Sequence, residues 1–403
     1  MPHDGVHAEA LWARLRHDGI PDVPTAFSVA MAHQTISRAV VDEIDAMLAA
    51  FERVTTGPGW QRAVTASAPE IARSVRRDVS FFSAWDIHVP EGAPHDWKLI
   101  ECNDNGSGFL FAALLNRAWY ELSGSTLAVE PPEPAAVFAA RVASMVRAEG
   151  EAFFQGPLPG MVLVLDDAES LARGRFRHEL ARIRDALRGA GFETEIASPD
   201  ALEWRDERLF HRGKRVAFVV NRATDFFWDA EVFAPVRAAY AKGDVFIAPN
   251  PFTYATRSDK RLFAILSAPH VDEGLGAVDD LMLLRSRIPF TSVVTADDVA
   301  ALARDKAELF FKPCHGFASH GVLTGDDVGE TRLRRLVKAS HPYVAQRRAP
   351  KHRIDVGDGV AAWADLRVWA HRGRRYLMSG RASRGPDGVD LSPPGGWLPT
   401  FRE

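Results

Sequence analysis

Residues 98–103 read Lys-Leu-Ile-Glu-Cys-Asn, an apolar run that ends on Glu101 and Asn103 and is followed by the polar turn Asp104-Asn105-Gly106. Side chains on a strand alternate between its faces, so residues two apart point the same way. Glu101 and Asn103 therefore present a carboxylate and an amide oxygen together. Hard oxygen donors of this kind suit Mg²⁺, which is commonly held by one or two carboxylates plus substrate phosphates. Taken alone, E-x-N is short enough to be an ordinary strand end, and its weight depends on the rest of the chain.

Upstream lie Arg76-Arg77-Asp78 and the run Val79-Ser80-Phe81-Phe82. With the Pro-containing turn over 90–96, this run and the one ending at Glu101 read as two strands joined by a loop. Residues from about 5 to 75 are helical in pattern, with Val40, Val41, Ile44, Met47, Leu48 and Phe51 near a period of 3.6. Downstream, 109–122 reads as a helix, and Glu130-Pro-Pro-Glu-Pro134 breaks the pattern before another over 135–153. The run 161–165, a helical stretch over 175–190 and the strand 193–196 alternate as βαβ. With the run 216–220, which ends at Asn221-Arg222, they make a small open α/β domain over about 159–249.

Beyond Pro249-Asn250-Pro251 the spacing predicts a helix over 258–266, with Ser258 as N-cap and Asp259 in its first turn. The apolar run 309–311 then leads into Lys312, with Gly316, Ser319 and Gly321 within nine residues. A loop of small residues lets backbone N–H groups approach phosphate closely, and the lysine supplies a point charge. The P-loop pattern is absent.

Composition narrows the partners. The 403 residues hold 49 Lys plus Arg against 53 Asp plus Glu, a net charge of -4, so there is no electrostatic case for nucleic acid or an anionic membrane. Two cysteines, Cys102 and Cys314, give neither a disulfide framework nor a zinc cluster. Without a leader-like N-terminus or an apolar run of membrane-spanning length, the expectation is a soluble, cytoplasmic protein of two or three domains with small-molecule partners.

The order Ser258-Asp259-Lys260, Lys312-Pro313, Tyr343-Val-Ala-Gln346, Asp365-Leu-Arg367 and Arg381-Ala-Ser-Arg384 resembles the ATP-grasp superfamily over roughly 249–403. The resemblance implies that Lys260 and Lys312 hold ATP phosphates. It implies that the hairpin from His315 to Gly321, with Gly316 and Ser319, closes over them. Gln346 or its neighbouring backbone would meet the adenine edge, and Asp365 would line the nucleotide site. Arg367 and Arg381 would serve the reacting groups, Arg381 steadying the transferred phosphoryl group.

An ordinary member would continue to an E-x-N strand after this module, whereas here that strand comes early. Arg76-x-Asp78 followed by Lys98-Leu-Ile-Glu101-x-Asn103 resembles the circularly permuted ATP-grasp ligases, glutathionylspermidine synthase among them. By that resemblance Asp78, Glu101 and Asn103 bind the metal, and Arg76 faces the phosphates or the reacting carboxylate. The hairpin departs from the group, carrying Cys314-His315-Gly316 where R-E-G is frequent. Whether His315 takes over the role of that Glu is left open.

The fold class implied is α/β (α+β), a circularly permuted ATP-grasp fold. Its expected parts are a helical cap over 1–75, metal-binding strands over 76–125, a linker and helix over 126–158, a pre-ATP or substrate domain over 159–249, and small and large ATP-grasp lobes over 250–340 and 341–403. The implied activity is an ATP- and Mg²⁺-dependent (alternatively Mn²⁺-dependent) carboxylate–amine ligase working through an acyl phosphate. Its substrates would be a carboxylate and an amine of the amino acid, peptide or polyamine kind. Two other readings share the residues: a phosphotransferase with no amine acceptor, and a non-catalytic nucleotide-binding protein.

Overall fold

In the computed structural model, which describes residues 5–20, 28–124, 127–174, 176–270, 273–316, 321–339, 341–357 and 359–403, Lys98–Asn103 is the edge strand of an antiparallel sheet. The sheet order is Gly396–Leu398, Arg374–Ser383, Ala361–His371, Ser83–His88, Lys98–Asn103, with His352–Asp355 also pairing with Ala361–His371. Strands from both ends of the chain thus share one ladder. Across it Asp365 opposes Arg381, Arg367 opposes Asp86, and Asp86 opposes Glu101.

The strand expected over 79–82 begins instead at Ser83. Phe81 and Phe82 leave the ladder because they fill a buried aromatic cluster with Phe109 and Phe138. A bulge follows, in which Ile87 opposes Leu99 and Asp86 opposes Glu101, so Ile100 is the extra residue. Bulges re-aim side chains, and this one turns both Ile100 and Glu101 toward the cleft described below.

Alternation along Ala361–His371 divides the sheet's two faces. Leu366, Val368 and Ala370 pack into one apolar cluster with Val40, Ile44, Met47, Leu48 and Phe51 of the helix Arg38–Thr56. That helix starts at Ser37, whose hydroxyl accepts the Val40 N–H at 3.4 Å. Asp365 and Arg367 point to the opposite face, where Trp369 stacks near Trp397.

The α/β unit has parallel strands Thr194–Ala197, Met161–Leu165, Lys214–Asn221 and Phe246–Ala248, extended antiparallel by Arg208–His211 and Leu202–Arg205. Every residue of Met161–Leu165 is buried, as an unbroken apolar run requires when both faces of a parallel sheet are covered. Val162 and Val164 face Leu180, Ile183 and Leu187 of helix Arg177–Gly189, while Leu163 and Leu165 belong to the cluster of Val236, Ala239 and Tyr240. A third sheet, also antiparallel, runs Thr291–Val293, Tyr343–Arg347, Leu309–Pro313, Leu323–Thr324.

The helix expected over 258–266 is shorter, Arg261–Leu266, and is preceded by a π-turn over Tyr254–Ser258. Ser258 does not cap it, because its hydroxyl accepts the Asp104 N–H at 2.8 Å. The Asp259 carboxylate takes the Arg261 N–H at 2.9 Å instead. Among the described residues no helix is long and apolar enough to cross a membrane.

Candidate active site

Two cavities meet on the polar face of the large sheet. The first lies between it and the four-stranded sheet, lined by His88, Ile100, Phe310, Lys312, Val322, Gln346, Ala349, Lys351 and Asp365. The second reaches toward the carboxyl ends of the parallel strands, where Asn103, Ser107, Asp166, Arg222, Phe226, Tyr254 and Arg367 line it. Asp86, Glu101, Lys260, Gly316 and Arg381 border both.

Three lysines serve the first cavity. Lys312, only 8% exposed, donates to Gln346 Oε1 at 2.6 Å. Burial is the main force that pushes its ammonium pKa down to about 8, with Glu101 opposing and Lys260 assisting. Lys260 Nζ stands 3.6 Å from Glu101 Oε2 and donates to the Gly316 carbonyl at 3.2 Å. Lys351 donates to the Gly388 carbonyl at 2.7 Å, and burial likewise lowers its pKa. Gln346 also donates, at 3.4 Å, to the carbonyl of the bulged Ile100. Its amide is committed within the protein, and Arg347 and Ala349 stand beside it at the cavity wall.

Below the lysines two acids and two arginines interlock. Arg367 forks Asp86 through Nε and Nη2 at 2.6 and 2.7 Å. Arg381 forks Asp365 at 3.1 and 2.7 Å and reaches Asp86 at 3.0 Å. Burial alone would raise the Asp86 carboxyl, but the Arg367 and Arg381 charges outweigh it and hold the group far below the usual carboxylate range. Asp365 is lowered against its burial by Arg381 and Lys351. The quartet is neutral in sum, so the net positive charge over the first cavity comes from Lys260, Lys312, Lys351 and Arg347, which outnumber Glu101.

Glu101 and Asn103 share a face, with Asn103 Nδ2 donating to Glu101 Oε1 at 3.0 Å. Among the described residues no group of three His, Cys, Asp or Glu side chains could hold a metal ion. A divalent cation here would need ligands beyond Glu101 and Asn103. This donor set fits Mg²⁺ bound jointly with phosphate oxygens and does not fit a metal caged by protein alone.

At the far end of the second cavity Asp166 and Arg222 extend from adjacent parallel strands. Arg222 is 4% exposed, and its Nε and Nη1 have no hydrogen-bond partner among the described residues. Its Nη2 lies 3.3 Å from Glu179. Burial raises the Asp166 carboxyl to about 7, with Arg222 opposing.

The structure gathers Glu101, Asn103, Lys260, Lys312, Gly316, Gln346, Asp365, Arg367 and Arg381 at these cavities. Two other expected site residues stand apart. Arg76 and Asp78 are exposed on the segment before the strand, and Asp78 takes Arg257 Nη2 at 2.8 Å and Gln61 Nε2 at 2.9 Å. The acid that faces Glu101 across the ladder is Asp86, because the strand starts at Ser83. His315 is set back from both cavities, edge-on to Phe227 at 5.1 Å and 3.8 Å from the Asp259 carboxylate. Gly321 is at the hairpin's return in a left-handed conformation, φ +74°, which explains the glycine. Ser319 lies outside the described residues. Cys314 has its thiol pushed up to about 12 by burial, in keeping with an inert packing role.

Sequence reading passed over Asp86, His88, Lys351 and Asp166. A signal for Asp86 was present, since an acid amid Ala84-Trp85 and Ile87 is unusual in a buried strand unless paired.

No family model matches the chain, and no curated protein matches it. Among solved structures it is similar to a glutathione synthetase-like effector from Globodera pallida, at 12% identity and a TM-score of 0.63, covering 98% of this chain and 95% of that one. A gamma-glutamylcysteine synthetase-like protein from Methylobacillus flagellatus gives 13% identity and a TM-score of 0.49, with 89% and 86% covered. An ATP-grasp ligase solved with its minimal precursor gives 14% and 0.31, with 59% and 89% covered. The chain shares the mixed α/β fold of the effector.

Proposed function

We propose that this chain is an ATP- and Mg²⁺-dependent carboxylate–amine ligase of the circularly permuted ATP-grasp kind that glutathionylspermidine synthase represents. The observation that carries the proposal is the junction of a lysine-lined cavity with a second, arginine-bearing one at Glu101, Lys260 and Arg381. The early metal strand lying in one ladder with the strands over 361–383 supports the permuted reading. Under this reading the expected divisions near 76, 126, 159, 250 and 341 stand as proposed domain limits.

Nucleotide phosphates would lie under Lys260, Lys312 and Lys351, whose charge offsets theirs. Glu101 and Asn103 would hold Mg²⁺, which, when bound, offsets charge on the transferring phosphoryl group. A substrate carboxylate oxygen attacks the γ-phosphorus, the bond to the β–γ bridging oxygen breaks, and ADP leaves. The amine then adds to the acyl phosphate carbonyl, losing a proton as inorganic phosphate departs. Asp86 and Asp365 position Arg367 and Arg381 along this path, and Arg222 offers unused donors to an anionic, non-reacting end of the substrate.

A phosphate-release screen of carboxylates paired with amines tests the proposal. The expected outcome is phosphate and ADP in equal amounts, formed only when both partners are present. Glu101→Gln should lower that rate by about 10²–10³ with the melting temperature kept. ADP formation that ignores the amine would instead mark a phosphotransferase.

A further inference from the structure

His88 closes the strand Ser83–His88 and lines the first cavity. Its Nδ1 is 2.7 Å from the backbone carbonyl oxygen of Ala349, in the segment that follows the strand Tyr343–Arg347. A carbonyl oxygen only accepts, so Nδ1 bears the ring proton and donates it. Burial, reinforced by the Lys351 ammonium, holds the imidazole pKa down to about 4. Nε2 thus carries a lone pair, and the hydrogen bond that His88 makes to the described residues is at Nδ1.

The same cavity has apolar lining at Ile100, Phe310, Val322 and Val389, and the charges of Lys351 and Asp365 also act on the imidazole. An acceptor held out of water discriminates by the group brought to it: a donor is satisfied, whereas a second acceptor leaves two lone pairs facing each other. Adenine carries a 6-amino donor where hypoxanthine and guanine carry a 6-oxo acceptor. Ribose hydroxyls are donors as well.

We propose that His88 is a specificity-determining residue of the nucleotide site, its Nε2 accepting a hydrogen bond from the nucleoside, either the adenine amino group or a ribose hydroxyl. The inference rests on the nucleotide reading of the cavity given above. Lys312 and Gln346 satisfy one another, so neither supplies the free acceptor that His88 does.

Equilibrium binding of ATP, ITP, 2′-deoxy-ATP and 3′-deoxy-ATP to the wild type, His88→Phe and His88→Gln tests it without turnover. The wild type should favour ATP over one class of analogue by roughly tenfold, the size of one hydrogen bond. A preference over ITP identifies the amino group, and a preference over a deoxy analogue identifies the hydroxyl. His88→Phe should abolish that preference alone, and His88→Gln, which retains an acceptor, should restore part of it. Equal binding of all four nucleotides by the wild type overturns the inference whatever the variants do. So does an unchanged preference in folded His88→Phe. Wild-type protein that binds none of the four overturns the nucleotide reading itself.

Discussion

Asp166 shows at the scale of one residue how a cavity-lining carboxyl is held at a cost in stability. Its carboxyl is raised from 3.8 to about 7, chiefly by burial. Between those values the folded protein binds a proton that the unfolded chain has lost, so this residue's contribution to stability falls as pH rises from about 4 to 7. Asp166→Asn keeps an oxygen for the Asp167 N–H, which Oδ1 accepts at 2.8 Å. The variant should therefore be more stable than wild type by on the order of 4 kcal/mol at pH 8, and nearly equal to it at pH 4. Urea titrations at the two pH values check this; a pH-independent difference would refute it. Glu101 and Lys312 were legible as residues because each ends an apolar strand with a charge. Asp86 was not, since its importance lies in a cross-strand partner far away in sequence.

Among elements, helix Phe109–Leu122 shows why a local reading stops short. Its apolar pattern announces a buried helix, yet its start at Gly108 has no capping side chain of its own. Glu179, from helix Arg177–Gly189, accepts the Gly108 and Leu110 N–H groups at 2.8 and 3.0 Å while facing Arg222. One carboxylate thus ends a helix and balances a cation in the second cavity. Glu179→Ala strands the buried Arg222 charge and should cost about 3–5 kcal/mol of unfolding free energy. Glu179→Gln keeps a single acceptor oxygen and also removes the charge, so its cost should approach that of Glu179→Ala. A much smaller loss in Glu179→Gln than in Glu179→Ala, measured by urea denaturation, would count against the charge-balance account. The strands over 161–165 and 98–103 could be read locally because burial on both faces, or on one, writes itself into the apolar pattern. The segment 79–82 carries the same kind of pattern but spends it on an aromatic cluster, and 258–266 lost its first turn to the π-turn and the Ser258–Asp104 bond.

For the whole molecule the decisive fact is that the large sheet is built from strands at 83–103 and 361–398. A fragment covering 126–403 would bare the edge of Ala361–His371 along Ser83–Ala370 to Ile87–Leu366. It would also lose the helix Arg38–Thr56 that covers Leu366, Val368 and Ala370. Such a fragment should lack a cooperative thermal transition, whereas the full chain should show one; a cooperative transition in the fragment would show that its lobe folds without the N-terminal strands.

The sequence by itself determined the short-range parts: the helical and strand runs, the oxygen donors at Glu101 and Asn103, and the lysines at 260 and 312. Periodicity and charge are local properties, written within a few residues of where they act. Only the tertiary structure decided that Asp86 rather than Asp78 faces Glu101, that two arginines are spent on two acids, and that His88 and Lys351 look into the cavity beside Lys312. Most of those outcomes depend on ladder register and on a one-residue bulge, and a shift of one position would turn the strand side chains among them to the opposite face.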